Sequence, residues 1–86
     1  MDASKSRKKE QLIAFGEHVR ALRKKKGFSG VELSNKIGVD KQFLSRLELG
    51  HSDPRLSTLI RLSQALDIHV ADLLKKMKYP PSLEEE

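Results

Sequence analysis

The 86 residues predict an all-α fold, a compact five-helix bundle, on three observations. Apolar residues recur at spacings of three and four in five separate stretches. Gly, Pro or helix-capping residues stand between those stretches. No alternation of apolar and polar residues is long enough for a useful strand, and no internal repeat is visible. A chain of this length with 37% hydrophobic residues builds one domain with a small core.

The first ten residues, MDASKSRKKE, are polar and basic and are expected to form a flexible arm over residues 1–10. The domain itself is expected over residues 11–78. Helix one starts at Gln11, with Leu12, Phe15, Val19 and Leu22 on one face. Gly16 interrupts it at a cost of about 1 kcal/mol relative to Ala, unless a neighbouring helix packs closely there. Arg23 to Lys26 suit the negative end of the helix dipole, and Gly27 closes the helix. Ser29 and Glu32 form a capping box that starts helix two, whose apolar face is Leu33 and Ile37 and whose end is Gly38. Asp40 caps helix three, with Leu44 and Leu47 inward and Gly50 as its end. The loop GHSDP follows, and Pro54 stands just ahead of helix four. Leu56, Leu59, Ile60, Ala65 and Leu66 supply the apolar face of that helix from Leu56 to Leu66, and Asp67 ends it. Val70, Leu73, Leu74 and Met77 give a fifth helix from Val70 to about Lys78. Residues 79–86, beginning Tyr79-Pro80-Pro81, make an acidic tail.

The net charge of +5 is unevenly placed. Residues 1–30 carry nine Lys/Arg against three acids, residues 31–50 balance, and residues 51–86 come to −1. A local basic excess is the footprint of a polyanion binder, because each cation that neutralises a phosphate releases counterions. A solvated surface that keeps the protein soluble would look the same. With no Cys there is neither a disulfide nor a thiolate metal site, and no stretch has the apolar length of a membrane span, so a cytoplasmic protein is expected.

Catalysis finds no support. His18, His51 and His69 lie 33 and 18 residues apart on different elements, with no acid or Cys at metal-ligand spacing. No Gly-rich phosphate loop or nucleophile elbow occurs. No enzyme, cofactor, metal or small-molecule ligand is indicated.

Two short helices joined by a tight Gly-containing turn, Ser29 to Gly50, match a helix-turn-helix, whose second helix enters the DNA major groove. With Leu44 and Leu47 inward, Lys41, Gln42, Ser45 and Arg46 are left on the exposed side. Gln pairs with an adenine edge, Arg or Lys with a guanine edge, and Ser with a base or phosphate. Phe43 stands near the edge of this face, either partly buried or pressed on a thymine methyl.

From about Phe15 to Leu74 the chain resembles the Cro and lambda-repressor type of helix-turn-helix domain, also called the xenobiotic-response-element type. The resemblance rests on FGEHVRALRKKKGFSGVELSNKIGVDKQFLSRLELGHSDPRLSTLIRLSQALDIHVADLL, about two-thirds of the chain. The Leu-x-x-x-Ile-Gly-Val step, the Ser-Arg-Leu-Glu-x-Gly ending and the Pro-x-x-x-x-Leu start of helix four match in order and spacing. It implies a lambda-repressor-like bundle binding double-stranded DNA as a symmetric dimer, and an ion pair between Arg23 and Glu48. Two positions depart from the family pattern. Gly30 stands where the family often has a Gln holding a DNA phosphate, so that anchor is missing or is replaced by backbone N–H groups. Ser34 stands where a small Ala is usual, and its hydroxyl needs a partner such as the carbonyl one turn back.

The expected function is that of a transcriptional regulator, a repressor type, acting as a homodimer on a palindromic operator. Bases are read by Lys41, Gln42, Phe43, Ser45 and Arg46, and phosphates are held by Arg20, Ser29, Gly30, His51, Ser52 and Arg55. Ile68, Val70, Leu74, Met77 and Tyr79 are the expected dimer surface. The alternative is a protein-interaction module, or an antitoxin-like partner-binding protein, built on the same fold.

Overall fold

A computed structural model describes residues 3–75 and 77, with side chains from residue 8 onward. The elements are α1 (Ala3–Lys25), α2 (Gly30–Ile37), α3 (Lys41–Glu48), α4 (Leu56–Leu66) and α5 (Val70–Leu73), and no strand occurs among the described residues. The bounds of α2, α3 and α4 agree with the sequence reading.

Both ends differ from expectation. Helix α1 begins at Ala3 and not at Gln11, so most of the expected free arm is helical. Lys, Arg, Glu, Gln and Ala are all good helix formers, and extending an existing helix adds a hydrogen bond for each residue fixed. The packed turns around Phe15 and Val19 supply the nucleus. Lys8 Nζ then meets Asp53 at 3.2 Å, an exposed pair that contributes little. At the other end α5 is a single turn, followed by bonds from the Leu74 N–H to Ala71 O (3.2 Å) and the Met77 N–H to Leu74 O (3.2 Å). These three-residue closures tighten the chain out of α-helical geometry. The expected end of helix five at Lys78, Tyr79 and the acidic tail lie outside the described residues.

The helix ends share one device. After α2, Gly38 is left-handed (φ 75°), its N–H bonds to Asn35 O, and the Val39 N–H reaches back to Ser34 O. The same pair of bonds closes α1, α3 and α4. At α4 the left-handed residue is Asp67, φ 55°, a conformation a Cβ makes costly.

Phe15, Val19, Leu33, Ile37, Leu44, Leu47, Leu62, Leu66 and Leu73 form one buried cluster drawn from all five helices. The α4 face is a correction: Leu62 is fully buried, whereas Leu56 and Ile60 are 67% and 42% exposed. Two overlapping apolar faces satisfy the same spacing, and the packing of α2 and α5 selects the one through Leu59, Leu62 and Leu66. Gly16 sits where α1 crosses the end of α3. A methyl group there would stand 2.5 Å from Glu48 O and 2.7 Å from its carbonyl carbon, so the close approach accounts for the glycine.

Candidate nucleic-acid interface

The α2–turn–α3 unit is fixed at each corner by local chemistry. Ser29 Oγ accepts from the Glu32 N–H (3.0 Å) while the Glu32 carboxylate accepts from the Ser29 N–H (2.8 Å), completing the capping box. That bond holds the Glu32 carboxyl below its ordinary range, because the N–H favours the charged form. Ser34 Oγ donates to Val31 O at 2.8 Å, which satisfies the one polar group buried in α2. Asp40 Oδ1 accepts from the Phe43 N–H at 2.7 Å and starts α3.

One ion pair locks this unit to α1. Arg23 Nε donates to Glu48 Oε2 (2.8 Å), Nη2 to Oε1 (3.1 Å) and Nη1 to Phe28 O (3.0 Å). The two side chains are only 12% and 9% exposed, so the fork is desolvated and geometrically specific. The bond to Glu48 raises the Arg23 pKa, and the guanidinium stays charged throughout.

Against this frame Lys41, Gln42, Ser45 and Arg46 are all exposed on α3. Phe43 is half-buried and packs against the core, which favours the first of its two readings. Leu49 extends the exposed face and is 59% accessible. Its position four residues after Ser45 could have marked it from sequence. Arg20 is exposed on α1, and with Arg23, Ser45, Glu48 and Leu49 it lines a shallow depression beside α3.

The remaining expected phosphate ligands divide. His51 and Arg55 are exposed in the loop after α3, and Ser29 is exposed at the α2 start. Ser52 is different: its hydroxyl oxygen is buried and has no hydrogen-bond partner among the described residues. Gly30 is half-buried, and a methyl group on it would lie 3.7 Å from Lys41 Cε. The sequence carries no signal for that contact.

The expected dimer residues also divide. Ile68, Leu74 and Met77 pack against the core, and Leu74 and Met77 line a small apolar concavity with Leu12, Phe15 and Leu59. Part of their apolar surface is therefore used inside the monomer. Val70 is half-buried, and Tyr79 is outside the described residues. Behind the site, His18 Nε2 donates to Asp72 O at 2.7 Å, a long-range tie between α1 and α5 that no local pattern announces. Lys75 bonds the Asp72 carboxylate and lowers its pKa. No described helix is long and apolar enough to cross a membrane.

Comparison with known proteins agrees with this geometry. A family model described as helix-turn-helix matches residues 19–73. The chain is 34% identical over 61 residues to the SPbeta prophage-derived HTH-type transcriptional regulator YonR of Bacillus subtilis, covering 71% of this chain and 56% of that protein. It is 38% identical over 61 residues to the HTH-type transcriptional regulator SinR of Bacillus subtilis, covering 70% and 55%. The chain thus spans little more than half the length of these relatives. Among solved structures, the restriction-modification controller protein C.AhdI from Aeromonas hydrophila superposes with a TM-score of 0.71 at 34% identity, covering 72% of this chain and 94% of that one. By family model, sequence and structure, the chain belongs to the helix-turn-helix family, of the Cro/lambda-repressor type.

Proposed function

We propose that this chain is a cytoplasmic, sequence-specific DNA-binding regulator that acts as a homodimer on a palindromic operator. The observation that carries the reading is the outer face of α3. Gln42, Ser45 and Arg46 are free side chains of base-reading types on a helix whose inner face and ends are fixed by Leu44, Leu47, Asp40 and Glu48. A rigid helix presenting hydrogen-bonding groups is what major-groove readout needs. Arg20, His51 and Arg55 flank it as phosphate contacts, and the Ser29 hydroxyl proton and Gly30 N–H are further donors at the α2 start. A two-fold dimer sets its half-sites about one helical turn of DNA, ~34 Å, apart. Its surface is formed by Ile68 and Val70, joined by the exposed Leu56 and Ile60 of α4.

Selection from a random duplex pool tests the reading. A palindromic consensus is the expected result; enrichment without a motif removes sequence specificity, and no retention of any duplex favours a protein-interaction module. Replacing Arg46 by Ala is expected to cost about 1–3 kcal/mol on the selected site and to relax preference at one base pair. A uniform loss on all sequences would make Arg46 a phosphate contact. A monomer in sedimentation, both free and on DNA, would remove the dimer.

A further inference from the structure

We propose that Lys41, although it opens the recognition helix, is a phosphate anchor and not a base reader, and that it fills the place left by the missing side chain at Gly30. The proposal rests on the DNA-binding reading above and changes which residues determine its specificity.

Three observations carry it. First, the Lys41 stem lies over Gly30: a methyl group on Gly30 would touch Lys41 Cε at 3.7 Å, an ordinary van der Waals distance. Cε, the last carbon before the ammonium, therefore lies beside the α2 start. Second, Lys41 stands at the edge of α3. Seven residues, close to two full turns, separate it from Glu48, which is turned inward onto Arg23. Gln42 and Arg46 are further round toward solvent. Third, no hydrogen bond or ion pair engages Lys41 among the described residues, so its charge is available.

Chemistry selects the role. A lysine ammonium is a compact point charge without the planar fork that reads a base edge in two places, and it suits a phosphate oxygen. The capping box puts the Glu32 carboxylate at the α2 start, where its charge repels a phosphate, and a cation beside Gly30 offsets that repulsion together with Lys36. Gly30 and the Lys41 stem are in van der Waals reach, so the two positions act as one unit. Base reading then falls to Gln42, Ser45 and Arg46.

The test compares wild type, Lys41→Ala and the double variant Gly30→Gln with Lys41→Ala. Each is titrated with the selected duplex and with every single-base-pair substitution of it, at several salt concentrations. Lys41→Ala is expected to weaken binding by one common factor on all duplexes, with the slope of log K against log salt reduced by about 1. The Gln in the double variant is expected to restore affinity as a neutral donor, without restoring the salt slope. Thermal melting of each variant checks that the fold is kept. A loss confined to one base-pair position overturns the proposal and makes Lys41 a base reader; unchanged affinity and slope overturn it as well. Wild-type protein that retains no duplex overturns the DNA-binding reading itself, an outcome distinct from any change at Lys41.

Discussion

Arg23 joins three parts of the chain through one guanidinium: its own helix, the carbonyl of Phe28 ahead of α2, and the carboxylate of Glu48 at the end of α3. Removing one partner of such a desolvated pair leaves the other charge buried and unsatisfied, which costs about 3–5 kcal/mol. Glu48→Ala is expected to show that loss in denaturant unfolding. Arg23→Lys is expected to recover only part of it, because an ammonium cannot make the forked bond. The exposed capping box is expected to act through pH. Glu32 has its folded pKa depressed, so its contribution is present above the unfolded value and is lost as pH falls through the folded one. Glu32→Gln should flatten the acid limb of the stability profile below about pH 4.5; an unchanged limb would remove the carboxylate from the cap. These residues also show what was legible. Ser29 and Glu32 are three residues apart, and their contact follows from local geometry. Arg23 and Glu48 are 25 residues apart, and only the family resemblance pairs them in sequence. Lys41 on Gly30 and His18 on Asp72 had no signal, since each depends on how two helices are docked.

At the scale of elements, the caps and breaks located α2, α3 and α4 in sequence, because each boundary is a local event at a Ser, Asp or Gly. Faces were harder to read. The apolar set Leu56, Leu59, Ile60 and Leu66 fits two directions on one helix, and only the neighbours α2 and α5 choose between them. Gly16 shows two opposed effects whose magnitudes decide the outcome. Ala at this position gains about 1 kcal/mol in helix propensity. Its methyl group, however, meets backbone atoms of Leu47 and Glu48, which cannot rotate away, and overpacking of this kind costs about 1–3 kcal/mol or more. Gly16→Ala is therefore expected to lower the melting temperature and to displace the end of α3. A higher melting temperature would show that α1 and α3 separate without cost. The opposite sign is expected at Asp67→Gly, where relief of a left-handed backbone is worth about 1 kcal/mol.

In the whole molecule α1 is the spine, and its two faces hold different parts. Phe15 and Val19 enter the common core, Arg23 holds the α2–turn–α3 unit, and His18 holds α5. Helix α5 is a single turn with little internal support, so its docking depends on buried Leu73 and on the bond from His18 to Asp72 O. His18→Ala is expected to cost about 1 kcal/mol and to act locally. Its signature in native-state hydrogen exchange is faster exchange at Asp72 and Leu74, with the amides of α2 and α3 keeping their protection. For the proposed DNA-binding dimer, affinity for the selected duplex at protein concentrations above dimerisation should be unchanged, because Gln42, Ser45 and Arg46 do not move. Arg23→Ala should do the reverse: exchange rises in α2 and α3, and affinity falls on every sequence as α3 loses its fixed angle. If both variants instead accelerate exchange everywhere by the same factor, the bundle opens only as a unit. The α2–turn–α3 unit and α5 are then not separately held by the spine.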